Sequence, residues 1–262
     1  MNKYLIALDF ETTGLDPEKS KIIEVGAVKF NESGEEVDSF SSFADPKTKI
    51  PHIITKLTGI NKKMLAGSPS PEEVLKNLFS WASNSKTYVA HNAEFEARFI
   101  KSIYKNSPEI TFIDTLKISR NRLKYENNYK LTNLIPEESE ERHRALSDAR
   151  ACKSLYQKLA STYKTGKIPL KTYSKPLHEI QMYDPPTRRQ LSYIESLGGN
   201  SENIKTKQKA SKYIDKLKAT DKNPNKSRNL SSTQTISWVV FTSIAWYLKK
   251  LFSYGLKTLI RS

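Results

Sequence analysis

The sequence holds a single cysteine, Cys152, among 262 residues. One thiol cannot close an internal disulfide, which excludes a disulfide-stapled secreted scaffold and fits a reducing compartment. The N-terminus lacks the basic start, long apolar core and small-residue cleavage site of a secretory signal, because a strand-like run begins at once with Tyr4. The expectation is an intracellular, cytoplasmic protein. No internal repeat is present. Acidic residues become scarce late in the chain: residues 1–161 hold 24 Lys+Arg against 22 Asp+Glu, but residues 162–262 hold 19 against 6. The net charge of +15 and the pI near 9.6 therefore belong to the second part. A basic appendage on a nearly neutral body suits a polyanion, either nucleic acid or an anionic membrane surface; the plainer reading is a solvated charged linker.

What is there reads as an α/β domain followed by additions. The runs 4–9, 22–30 and 39–45 read as strands of an antiparallel meander split by NESGEE. Ser70 suits an N-cap, Pro71 the first helical position, and Glu72 and Glu73 the first turn, with Val74, Leu75, Leu78, Phe79 and Ala82 forming an apolar face. TYVAHN reads as a buried strand leading into the helix AEFEARFIKSIY, ITFIDTL as another strand, and SDARACKSLYQKLASTY as a helix. Strands first, then mixed helices and strands, place the end of the domain near Ser161.

The opening run YLIALDFETTGL ends in two acids, Asp9 and Glu11. Alternate strand residues share a face, so the two carboxylates repel one another. A hard divalent cation between them would relieve that repulsion. A strand end entering a solvated turn at Gly14 accounts for them equally well. Acids and histidines recur in HNAEFEARF (His91, Asn92, Glu94, Glu96), FIDTL (Asp114) and HRALSDA (His143, Asp148). Singly, each has a plain explanation: a core histidine, or acids in the first turns of helices.

Taken together, LDFETTGLDP, IIEVGAVKF, LTGI, VAHNAEFEARF, DTL and HRALSDA occur in one order over about residues 3–160. In that order and spacing the domain resembles the DEDDh, or DnaQ-like, family of 3′–5′ exonucleases, the family of the proofreading epsilon subunit of bacterial DNA polymerase III. The resemblance implies a ribonuclease H-like fold, a mixed β-sheet flanked by helices. It implies that Asp9, Glu11, Glu96 and Asp148 hold two Mg²⁺ or Mn²⁺ ions, and that His143 is the general base toward water. It also implies that Thr12, Thr13 and Gly14 line the 3′-terminal nucleotide, that Asn92 holds the shape of the site, and that Thr58 touches the same nucleotide. The substrate implied is the 3′ end of single-stranded DNA or RNA, with DNA favoured; a proofreading subunit that partners a DNA polymerase is the alternative. Glu96 departs from the pattern, which has aspartate there. Its extra methylene leaves open a binding protein with a weakened site, since magnesium tolerates poor geometry badly.

Past residue 161 the expectation is a linker over 162–175, a basic helical accessory module over 176–219, a flexible linker over 220–235 and an apolar or amphipathic tail helix over 236–262. Thr187 and Thr206 suit N-caps, and Gly198-Gly199 suits the end of the first module helix. Arg188, Arg189, Lys205, Lys209, Lys212 and Lys216 are expected to meet backbone phosphates. The tail is uncharged from Leu230 to Leu248 and carries two tryptophans before Lys249 and Lys250. It suits docking on a membrane or on a partner.

Overall fold

The computed structural model describes residues 4–83, 85–104, 109–136 and 143–220. Contacts divide the chain into a first unit ending at Ile180 and a second beginning at Gln181. The tail helix expected over 236–262 and nearly all of the 220–235 linker lie outside the described residues. Among the described residues, no helix is long and apolar enough to cross a membrane.

The first unit is built on a six-stranded sheet. Its strands are β1 (Leu5–Thr12), β2 (Ile22–Phe30), β3 (Glu36–Phe43), β4 (Thr87–Ala90), β5 (Thr111–Asp114) and β6 (Ser174–Pro176), in the spatial order β3-β2-β1-β4-β5-β6. The meander β1–β2–β3 is antiparallel, β1, β4 and β5 run parallel, and β6 returns antiparallel. Ten helices are described: α1 (His52–Thr58), α2 (Lys62–Leu65), α3 (Pro71–Ala82), α4 (Glu94–Ile103), α5 (Thr115–Arg122), α6 (Leu131–Leu134), α7 (Ala145–Ser161), α8 (Leu170–Tyr173), α9 (Arg188–Ser196) and α10 (Lys207–Thr220). A mixed sheet with helices on both faces is the ribonuclease H-like arrangement that the resemblance implies.

The period of two in β1 sorts its side chains. Ile6, Leu8 and Phe10 join Leu75 and Leu78 of α3 and Phe99 and Ile100 of α4 in one core. Leu5 and Ala7 join Leu155 and Leu159 of α7 and Ile118 of α5 in the other. Asp9 and Glu11 continue the second series, so they emerge on the sheet face that carries α7. The start of α3 is fixed as expected: Ser70 and Glu73 form a capping box, with Pro71 inside it.

The boundary near Ser161 needs correction. Residues 162–175, expected as a linker, are part of the first unit. Ile168 is buried, Leu170 and Tyr173 pack on the α7-side core, and β6 pairs with β5. Leu177 and Ile180 then enter the opposite core. The basic, Pro- and Gly-containing composition hid these apolar residues, which are spaced too irregularly to show a period. The second unit pairs α9 with α10 around Ile194, Ala210 and Ile214. Thr187 caps α9 in a capping box with Gln190, and Thr206 Oγ1 accepts from the Lys209 amide.

Candidate active site

The site lies where the parallel strands end. β1 carries Asp9 and Glu11 at its C-terminal end, β4 runs into His91 and Asn92, and β5 ends at Asp114. The carboxyl ends of parallel strands are where open α/β sheets commonly bind ligands. The α7 helix supplies the remainder: His143 precedes it and Asp148 sits in its first turn.

Glu11, His143 and Asp148 each offer a ligand atom within 4.8 Å of the others. Glu11 and Asp148 are 3% and 7% exposed. Glu96, in the first turns of α4, is 3% exposed. Asp9, Glu11 and Glu96 each turn a carboxylate oxygen away from solvent, and His143 turns Nδ1 away. Cys152, one turn beyond Asp148, feels the charges of Asp9, Glu96 and Asp114, which, with burial as the main cause, hold its thiol well above the ordinary cysteine range. The structure thus brings Glu11, His143 and Asp148 into one cluster, with Asp9 beside them on the same strand face. Oxygen-rich donors of like charge drawn this close fit a hard divalent cation, which would remove their repulsion.

The end of β1 and the turn after it, the end of α1 and the turn after β4 hold the other expected residues of the first unit. Thr12 Oγ1 donates to the Gly14 carbonyl at 2.7 Å, and Thr13 Oγ1 accepts from the Lys21 amide at 2.9 Å, so the turn after Glu11 is internally tied. Thr58 is buried, its hydroxyl donating to the Ile54 carbonyl and accepting from the Ile60 amide. Asn92 adopts a φ of +79° and His143 one of +68°, conformations that non-glycine residues rarely hold without cause. Arg188, Arg189, Lys205, Lys209, Lys212 and Lys216 are exposed on the second unit.

Two positioning acids were not assigned roles from the sequence. Asp114 Oδ1 accepts from the amides of Asn92 (3.2 Å), Leu116 (2.9 Å) and Lys117 (3.3 Å), so it caps α5 and ties down the Asn92 turn. Burial raises its pKa, against the pull of Lys117 and the three amides. Glu24, 1% exposed on β2, holds Arg144 and the Ala145 amide. Its signal was legible: a carboxylate inside the apolar strand IIEVGAVKF requires a partner. His91, by contrast, is the core histidine of the plain reading. Its Nε2 donates to the Tyr129 carbonyl at 2.8 Å and its Nδ1 meets Thr115 Oγ1 at 3.0 Å. Burial, outweighing the Tyr129 bond, lowers its pKa to about 4.

A family model described as Exonuclease, RNase_T, matches residues 6–156. The PolC-type DNA polymerase III of Caldanaerobacter subterraneus subsp. tengcongensis is 38% identical over 176 residues, covering 65% of this chain and 12% of that protein. The PolC-type DNA polymerase III of Clostridium perfringens is 36% identical over 199 residues, covering 72% of this chain and 13% of that protein. The chain therefore spans only a small part of the length of these relatives. The nuclease domain of 3′hExo, a DEDDh family member, bound to rAMP, superposes with a TM-score of 0.51 at 21% identity, covering 59% of this chain and 90% of that one. The complex of E. coli ExoI with single-stranded DNA superposes with a TM-score of 0.53 at 16% identity, covering 63% and 42%. Both share the fold.

Proposed function

The chain belongs to the exonuclease family, whose members use divalent metal ions, and on that premise we propose that it removes nucleoside monophosphates from the 3′ end of single-stranded nucleic acid, DNA in preference to RNA. The observation that carries this reading is the convergence of Glu11, His143 and Asp148 within 4.8 Å at the C-terminal end of β1.

In this reading Asp9, Glu11, Glu96 and Asp148 would hold two Mg²⁺ or Mn²⁺ ions. The ions, when bound, supply charge stabilisation at the attacking and leaving oxygens of an in-line displacement. His143 takes the proton from the attacking water, a task that suits an imidazole near neutral pH. Thr12, Thr13, Gly14 and Thr58 surround the terminal nucleotide, and Asn92 shapes the floor beside it. Arg188, Arg189, Lys205, Lys209, Lys212 and Lys216 add sequence-independent affinity for the phosphate backbone. The 38% identity over 176 residues to part of a PolC-type DNA polymerase III supports a replicative or repair setting, with a DNA polymerase as partner.

The test is digestion of 5′-labelled single-stranded DNA and RNA of equal sequence, with Mg²⁺ and with Mn²⁺. A ladder shortening from the 3′ end, abolished by Asp9→Ala, is expected. No degradation by the wild type, together with tight binding, would turn the reading toward a nucleic-acid-binding protein whose site is weakened by Glu96.

A further inference from the structure

Glu24 takes no part in the chemistry above, yet it is among the most buried charged groups described. A buried carboxylate persists only when its charge and lone pairs are answered. Here both oxygens are used. Oε1 accepts from Arg144 Nε at 3.0 Å and from Nη2 at 2.8 Å, and Oε2 accepts from the Ala145 amide at 3.1 Å. The N-cap residue of α7, Arg144, makes no side-chain cap bond of its own. The missing acceptor at this helix start therefore comes from β2, some 120 residues earlier in the chain.

The sheet register shows what this arrangement does. Glu24 lies directly opposite Glu11 on one side and Phe43 on the other, so the three form one row across β1, β2 and β3. The Arg144 guanidinium centre stands 5.3 Å from the Phe43 ring. It therefore rests on the row that contains the proposed ligand Glu11, and it neutralises the like charge beside that ligand. The next residue on the same face is Gly26, opposite Asp9. A Cβ placed there would fall 2.1 Å from the Ala145 carbonyl carbon and the Leu146 nitrogen, so backbone meets backbone at this point. The first turn of α7 is thus seated on β2 over the Asp9–Glu11 face. His143, at positive φ, immediately precedes that seat, and Asp148 follows it by one turn.

We propose that Glu24 is a positioning residue of the exonuclease site: by holding Arg144 and the Ala145 amide, it sets the His143 turn and the Asp148 turn over Asp9 and Glu11. The proposal rests on the nuclease reading above. Glu24→Gln keeps an acceptor for the Ala145 amide while discarding the ion pair, which makes it the mild probe. Arg144→Ala removes the same pair from the other side.

The experiment measures kcat and KM of the full chain on a 5′-labelled single-stranded oligonucleotide for the wild type, Glu24→Gln, Arg144→Ala, His143→Ala and the double variant Glu24→Gln/His143→Ala. Mn²⁺ affinity and thermal melting are recorded on the same samples. Displacement by about 1 Å costs roughly a hundredfold in rate. Both pair-breaking variants should therefore lose kcat by about 30- to 100-fold with KM within threefold, melting above the assay temperature. Groups that act as a unit are non-additive, so in the His143→Ala background the Glu24 change should cost several-fold less than in the wild type, the remainder acting through the Asp148 turn. Equal losses in the two backgrounds, or unchanged kcat in both pair-breaking variants, would overturn the proposal. An inactive wild type would instead overturn the nuclease reading. Mn²⁺ binding would then decide the positioning role: a tenfold weaker affinity in Glu24→Gln supports it and an unchanged one refutes it.

Discussion

His91 couples the stability of the first unit to pH. Its imidazole is neutral in the folded state because burial lowers its pKa from 6.5 to about 4. The direction of the effect follows from proton counting. Between these two values the unfolded chain binds a proton that the folded chain does not, so folding weakens as pH falls through that window. At pH 7 the cost is nearly zero. At pH 5 the unfolded histidine is almost fully protonated and the folded one is not, which amounts to about 2 kcal/mol by linkage. Full passage below pH 4 would raise the loss to about 3 kcal/mol.

Other groups titrate in the same range, and Asp114, with its raised pKa, acts in the opposite sense. The informative quantity is therefore a difference. His91→Gln retains an amide donor able to reach the Tyr129 carbonyl but carries no titrating group. Urea unfolding of both proteins in chelator, from pH 7.5 to pH 4.5, should show the wild type losing about 2 kcal/mol more than the variant by pH 5. Parallel curves would refute the argument, for they would mean that the folded state accepts the proton at His91 without penalty.

Glu96→Asp should raise the rate with Mg²⁺ more than with Mn²⁺, because Mg²⁺ demands the stricter octahedral geometry; steady-state digestion with each ion reads this, and an equal change with both would count against the ligand role. A chain ending at Ile180 should keep a cooperative melt, whereas one ending at Ser161 loses Ile168, Leu177, Ile180 and β6 and should melt many degrees lower or fail to fold. His143→Ala and His143→Gly should both lose about a hundredfold or more in kcat, yet the glycine variant should be the more stable by about 1 kcal/mol, since only glycine relaxes the φ of +68°. Equal chemical-denaturation midpoints for those two variants would show that the turn stores no strain.

The sequence disclosed the fold where local chemistry and tertiary structure agreed. β1 and β2 are apolar runs bounded by turns, and α3 has Ser70, Pro71 and Glu73 at its start. It misjudged the stretch after Ser161, because β6 is three residues long and takes its identity from pairing with β5 rather than from any pattern of its own. It also missed α5, where ITFIDTL reads as strand throughout. In the structure Asp114 ends the strand and caps the helix with the same carboxylate, a change of period that occurs at a single residue. The site was legible as a set of motifs. Its geometry was not, because which acids face one another depends on the register of β1 against β2 and on where α7 lands.

That landing also divides acids that look alike in the sequence. Glu11, Glu24, Glu96, Asp114 and Asp148 are all buried, and each would cost several kcal/mol if left uncompensated. Asp114 is answered by three backbone amides and Glu24 by an arginine and a helix-end amide, donors that belong to the fold itself. Glu11 and Asp148 each also place a carboxylate oxygen within 4.8 Å of the other and of a His143 ring nitrogen, from a strand and a helix that Glu24, Arg144 and Gly26 bring together. Pressing like charges together raises the energy of the ion-free protein. A fold that brings two buried carboxylates within 4.8 Å of each other suits a positively charged guest. It follows that loosening the Glu24 seat should lessen that repulsion while weakening the cation's hold, so Glu24→Gln should lose less stability in chelator than in saturating Mn²⁺.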